Sequence, residues 1–288
     1  MTDRLVWERD GRDWPNRQAS RFVQAAGLRW HVQVMGAGPP LLLLHGTGAS
    51  THSWRALAPR LATSFTVVAP DLPGHGFTST PPAHRLSLPG MAQSVAELLR
   101  VLDLQPTLVA GHSAGAAILV RMCLDGTIAP HRLVSLNGAL LPMQGFAGEV
   151  FAPVAKLLAC LPLVPRVFAS WVGDRRAVER LIRDTGSSLD PAGIEFYWRL
   201  ARNPAHIAGT LGMMANWNLH SLRTELPRLK TPLILVVGGN DRTIPPAEAT
   251  AVRDLLPDAR IVTLPGLGHL SHEENPELCA ALIAEAAA

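Results

Sequence analysis

Leu108-Val109-Ala110-Gly111-His112-Ser113-Ala114-Gly115 ends an apolar run in the pattern G-x-S-x-G, and an Ala-, Ile- and Leu-rich stretch from Ala116 to Leu124 follows at once. The run reads as a buried strand and the stretch as a helix, so Ser113 falls on the sharp turn between them. A residue on such a turn has strained backbone angles and needs small neighbours, which Gly111 and Gly115 supply. The helix that starts there points its first amides, and the positive end of its dipole, at any charge developing beside Ser113.

Working outward, Leu41-Leu42-Leu43-Leu44 reads as a second buried strand and leads into His45-Gly46-Thr47-Gly48. Downstream, Pro232 to Gly238 is a third strand with Asp241 just past its end, and Ile261 to Leu264 is a fourth that runs into Pro265-Gly266-Leu267-Gly268-His269. This order resembles the α/β-hydrolase pattern, with a serine nucleophile on an elbow followed by Asp and then His. The resemblance implies a Ser113, Asp241, His269 triad with Ser113 in hydrogen-bond reach of His269. The oxyanion hole would use the backbone amides of Thr47 and Ala114. Asp71 ends another apolar strand and is a rival acid, but its place before Ser113 disfavours it. Asn137, after Leu133-Val134-Ser135-Leu136, occupies a position where some relatives carry the acid. Asparagine cannot hold an imidazolium by charge, which leaves Asp241 preferred. His45 and His112 read as loop-packing residues. Serine at 113 points away from epoxide opening and carbon–halogen cleavage, whose enzymes carry aspartate there.

The chain has 288 residues and a net charge of +3, with cations that are almost all arginine and are scattered. No nucleic-acid footprint is expected. Cys123, Cys160 and Cys279 are odd in number and far apart, and read as buried thiols in a reducing compartment. The polar stretch Met1–Gln18 has no apolar signal core, which points to a cytoplasmic protein. No P-loop is present and no cofactor is expected. His269-x-x-His272-Glu273-Glu274 could be taken for metal ligands, but its acids suit a helix N-terminus better.

Segments 21–26 and 28–35 form a candidate edge hairpin. Helical patterns at 53–61, 89–102 and 114–124 then alternate with strands near 41, 65, 107 and 132. After a break the alternation resumes with a strand at 232, a helix at 246–256, a strand at 260 and a helix at 274–286. This predicts an α/β fold, a mostly parallel open sheet with helices on both faces. Residues 1–137 and 221–288 would form the core and 138–220 an inserted helical cap. The apolar stretch Val150–Phe168 in the insertion contains three prolines and two cations, too broken for a membrane span. It is expected to line a wide apolar pocket or face a membrane or partner. Trp54, Met213, Met214, Trp217 and Leu270 are the candidate substrate contacts, with Phe196-Tyr197-Trp198 as further bulky lining.

Several words go beyond the general pattern: Trp14-Pro15-Asn16-Arg17, Leu28-Arg29-Trp30-His31-Val32-Gln33, His45 to Trp54, Gly111 to Ala117, Thr185-Gly186-Ser187 and Gly268 to Glu274. Together they closely resemble the magnesium-chelatase accessory proteins of bacteriochlorophyll biosynthesis, the BchO family, over nearly the whole chain. The resemblance implies a role near magnesium insertion into protoporphyrin IX, with transient contact to magnesium chelatase or the photosynthetic membrane surface. It leaves two functions open. One is hydrolysis of an apolar ester such as a tetrapyrrole or lipid ester. The other is non-catalytic tetrapyrrole binding or assembly of the chelatase.

Overall fold

The alternation of apolar strands and amphipathic helices becomes one eight-stranded sheet in the computed structural model, which describes residues 4–142 and 174–287. The strands are β1 (Ser20–Ala25), β2 (Leu28–Met35), β3 (Pro40–Leu44), β4 (Thr66–Pro70), β5 (Leu108–His112), β6 (Arg132–Leu136), β7 (Leu233–Gly238) and β8 (Arg260–Leu264). Their order is β1-β2-β4-β3-β5-β6-β7-β8. β1 and β2 pair antiparallel through a two-residue turn in which Ala26 and Gly27 both have positive φ, the geometry that matches strand twist. β2 also runs antiparallel to β4, and every later pairing is parallel.

Strands covered on both faces need apolar residues at every position, and β3, β5 and β7 are buried almost throughout. Alternate residues then divide the core. Leu42, Leu44, Val109 and Leu235 face α3 (Leu88–Val101), α4 (Ala114–Leu124) and α9 (Ala247–Leu255). Leu41, Leu43, Ala110 and Val236 face α2 (Leu57–Leu61) and α11 (Pro276–Glu285). The expected helix at 53–61 is broken in two: a 3-10 turn, Thr51–Trp54, precedes α2. The last helix likewise starts as a separate turn, α10 (Ser271–Glu274). Cys279 is buried and Cys123 only half-buried, a correction to the expectation that all are buried; Cys160 lies outside the described residues.

Between β6 and β7 the described chain is helical: α5 (Arg175–Asp184), α6 (Pro191–Ala201), α7 (Pro204–Ala215) and α8 (His220–Glu225). Side-chain caps start three of them, with Asp174, Asp190 and Asn203 accepting the amides of Arg176, Gly193 and His206. α6 is held from outside the sheet, because Phe196 and Leu200 pack on Trp14 and Phe77. The stretch Val150–Phe168, expected to line a pocket or face a membrane, lies outside the described residues. Among the described residues no helix is long and apolar enough to cross a membrane.

Asp71, the rival acid, is a structural residue. Its fully buried carboxylate accepts the amides of Thr51 (2.7 Å) and Phe77 (2.9 Å) and pairs with His31 Nδ1 at 2.8 Å. Burial alone would raise this carboxyl, but the His31 charge and hydrogen bond, with the Phe77 amide, hold it well below the usual range. Asp71→Ala is expected to cost about 3–5 kcal/mol in urea unfolding, the penalty for breaking a buried pair. Because the folded carboxyl titrates below the unfolded value near 4, its contribution is complete above about pH 4 and is lost as pH falls further. Asp71→Asn should therefore flatten the acid limb of the wild-type stability curve, read as Tm against pH.

Candidate active site

Ser113 sits between β5 and α4 with φ 51° and ψ −119°, in the left-handed half of backbone space that a residue with a side chain rarely adopts. The strain is held by its neighbours. The Ser113 amide donates to Leu136 O at the end of β6, and its carbonyl accepts the amides of Ala116 and Ala139, each at 3.1 Å. Glycine is required on both sides. A Cβ at 115 would lie 2.1 Å from Leu44 O, and one at 111 would lie 2.5 Å from the Ala116 nitrogen. The His45–Gly48 loop closes on the elbow, since a Cβ at 46 would meet Ser113 Cβ at 2.9 Å.

His269 Nδ1 contacts Asp241 Oδ2 at 2.8 Å, and both residues are buried. The carboxylate is otherwise saturated: Oδ1 accepts the amides of Thr243 (2.8 Å) and Ile244 (2.9 Å), and Oδ2 also accepts Asn137 Nδ2 at 2.8 Å. With Nδ1–H committed to the carboxylate, the imidazole is left with a lone pair on Nε2. Among the described residues the Ser113 hydroxyl makes no hydrogen bond with His269. The Thr47 and Ala114 amides likewise have no acceptor among the described residues, although Thr47 Oγ1 donates to Met213 Sδ at 3.7 Å.

The remaining site candidates separate by packing. Trp54 is fully buried on the α2 side of the sheet against His272, with ring centroids 4.7 Å apart. Met213 is 0 % exposed in the opposite half of the core, with its Sδ against Thr47 Oγ1 of the site loop. Leu270 packs on Val178 and Ile182 of α5. Met214 and Trp217 are half-buried. Among the described residues no three His, Cys, Asp or Glu side chains converge as metal ligands. Glu273 instead meets Arg55 and accepts the Tyr197 hydroxyl at 2.7 Å. Burial pushes its carboxyl up to about 7, against the pull of Arg55 and Tyr197.

Two contributors were not assigned from sequence. Asn137, weighed only as an acid position, adopts φ 48° and supports Asp241, while its Oδ1 accepts Ser271 Oγ at 2.6 Å. An asparagine directly after a buried strand was the available signal, because asparagine tolerates that conformation. The neutral His206 is the other: its Nδ1 accepts the Gly76 amide (3.0 Å) and its Nε2–H donates to Gly48 O (3.1 Å), linking α7 to the loop that carries Thr47. Burial holds it neutral, down to about 4.

With this geometry in place, the family follows. Residues 41–282 match the alpha/beta hydrolase family. The chain belongs to it. The magnesium-chelatase 30 kDa subunit of Rhodobacter capsulatus is 38% identical over 263 residues, 91% of this chain and 92% of that one, which places the chain among the accessory proteins its sequence resembles. A pimeloyl acyl-carrier-protein methyl ester esterase of Aeromonas hydrophila is 27% identical over 85% of this chain and 94% of its own. A solved alpha/beta hydrolase fold protein from Burkholderia ambifaria superposes with a TM-score of 0.79 at 25% identity, covering 93% of this chain and 97% of that chain. The α/β-hydrolase fold is thus established.

The close approach at Gly115 makes a direct test of the elbow. Gly115→Ala forces a methyl group onto backbone atoms that cannot swing aside, and should cost about 2–4 kcal/mol in denaturant unfolding. Gly126→Ala, at a positive-φ glycine with open space around it, should cost only about 1 kcal/mol.

Proposed function

We propose that the protein is a serine hydrolase that cleaves an ester-like bond in an apolar substrate, a tetrapyrrole or lipid ester, in support of magnesium insertion into protoporphyrin IX. The Asp241–His269 contact, together with the strained Ser113 at the β5–α4 turn, supports this reading. Ser113 Oγ attacks the carbonyl carbon while His269 Nε2 takes its proton, and Asp241 stabilises the imidazolium. The Thr47 and Ala114 amides receive the oxyanion; loss of one such donor costs on the order of a hundredfold or more. His269 returns the proton to the departing alcohol, and water then releases the acid by the same steps. Residues 1–137 and 221–288 act as the catalytic core, 138–220 as the cap, and Met214 and Trp217 as part of the substrate wall. The protein works in the cytoplasm, at the periphery of the photosynthetic membrane, in transient contact with magnesium chelatase.

The second reading is a non-catalytic tetrapyrrole-binding or assembly factor. It draws on the unengaged Ser113 hydroxyl and on the relative whose name is that of a chelatase subunit.

The purified protein should react with a fluorophosphonate probe and hydrolyse activated esters. Ser113→Ala and His269→Ala should each remove most of that rate. Asp241→Asn should keep the fold but misorient the histidine, and the losses should not add. Rates equal to wild type in Ser113→Ala would overturn the assignment. In cells, Ser113→Ala should be as damaging as deletion, scored by magnesium-porphyrin accumulation; full complementation by Ser113→Ala would favour the binding reading.

A further inference from the structure

The two loops that carry Asp241 and His269 are joined by a segment that belongs to neither. Between α5 and α6, the Thr185 carbonyl accepts the Arg242 amide at 3.1 Å and the His269 amide at 3.4 Å. One carbonyl thus spans the acid loop and the base loop. Two residues on, the buried Ser187 Oγ accepts the amide of Leu270, directly after His269, at 2.8 Å. Ser188 N donates to Glu274 Oε2 (3.2 Å), and Glu274 Oε1 accepts the Gly268 amide (2.8 Å). The contact is too tight for side chains. Gly186 has φ +87°, a Cβ there would lie 1.9 Å from Asn240 O, and a Cβ on Gly268 would lie 2.3 Å from the Gly186 carbonyl carbon.

We propose that Thr185–Ser187 is a built-in brace that sets His269 against Asp241 and Ser113, with Ser187 as its positioning residue. The proposal rests on the hydrolase reading for its kinetic consequence but not for its structural one. The His269 ring is tied to Asp241 through Nδ1, and its main chain is anchored on each side, by the Thr185 carbonyl on its own amide, the His112 ring on its carbonyl and the Ser187 hydroxyl on the next amide. Of these anchors the Ser187 hydroxyl is the side-chain group that belongs to the segment between α5 and α6. If Ser187 is removed, the Leu270 amide loses its acceptor in a buried place and the 269–270 peptide is free to turn toward another. A shift of about 1 Å in a reacting group costs on the order of a hundredfold in rate. The α5–α6 connection within the insertion is therefore a fixed part of the frame around His269.

The test compares wild type with Ser187→Ala, Ser187→Thr and Leu200→Ala. The last thins the packing of α6 on Trp14 and touches no brace residue. Two quantities are read on each folded protein. One is the downfield proton resonance of His269 Nδ1–H against Asp241, assigned by its loss in His269→Gln. The other is the kcat and KM for an activated ester. Ser187→Ala should shift or broaden the resonance and lower kcat about 10- to 100-fold with KM within about threefold. Ser187→Thr, which keeps the hydroxyl, should restore both. Leu200→Ala should lower Tm with the resonance in place. If Ser187→Ala leaves both the resonance and kcat unchanged while wild type is active, the brace is wrong and the hydrolase reading stands. If wild type turns over no ester yet Ser187→Ala moves the resonance, the brace stands and the hydrolase reading fails. If Leu200→Ala and Ser187→Ala move resonance and Tm in parallel, Ser187 is only part of the packing and the proposal is overturned.

Discussion

Everything near the site depends on one strained peptide. Ser113 is held at positive φ with a side chain attached, which costs on the order of 1–3 kcal/mol and persists only where surroundings leave no alternative. Here they leave none. β5 is clamped between β3 and β6, the Ser113 amide and carbonyl are both engaged, and Gly115 presses on the carbonyl oxygens of Leu44 and His45. The centre of a parallel sheet is the stiffest place in such a molecule, because its strands are buried on both faces. The serine is raised above that surface with α4 starting beneath it.

Around that point the protein keeps several buried imidazoles neutral. His112, whose ring lies 4.7 Å from that of His269, donates from Nε2 to the His269 carbonyl at 3.0 Å, and burial pushes it well below its ordinary range. Burial also pushes His272, 4.4 Å beyond His112, down to about 3. A charged neighbour at such distances would oppose formation of an imidazolium on His269. Neutral rings remove that opposition while filling the space behind His269.

The fold was legible because parallel strands covered on both sides must be apolar without a break. Leu41–Leu44, Leu108–Ala110 and Leu233–Val237 announced themselves for that reason, and the loops following them carry Thr47, Ser113 and Asp241 in the chain order of the α/β-hydrolase pattern. The pocket was less legible. Trp54 and Met213 stand out in the sequence by bulk alone, and composition does not encode that one packs on the α2 face of the sheet and the other against Thr47. Asn137, His206 and Ser187 were missed as supports for a related reason. Each acts on a partner far away in the chain, as Asn137 does on Asp241 and His206 on Gly48.

The contact at Thr185 has a consequence for how such proteins diverge. Its acceptor is a main-chain carbonyl, and its donors at 242 and 269 are main-chain amides. Any amino acid other than proline at the two donor positions could supply that bond. A constraint written in peptide groups leaves almost no trace in the alphabet of side chains. Inserted helices can therefore drift in sequence until they look unrelated while still meeting the Asp241 and His269 loops at the same point. Comparison by residue identity will underrate such a segment, and comparison by backbone path will recover it.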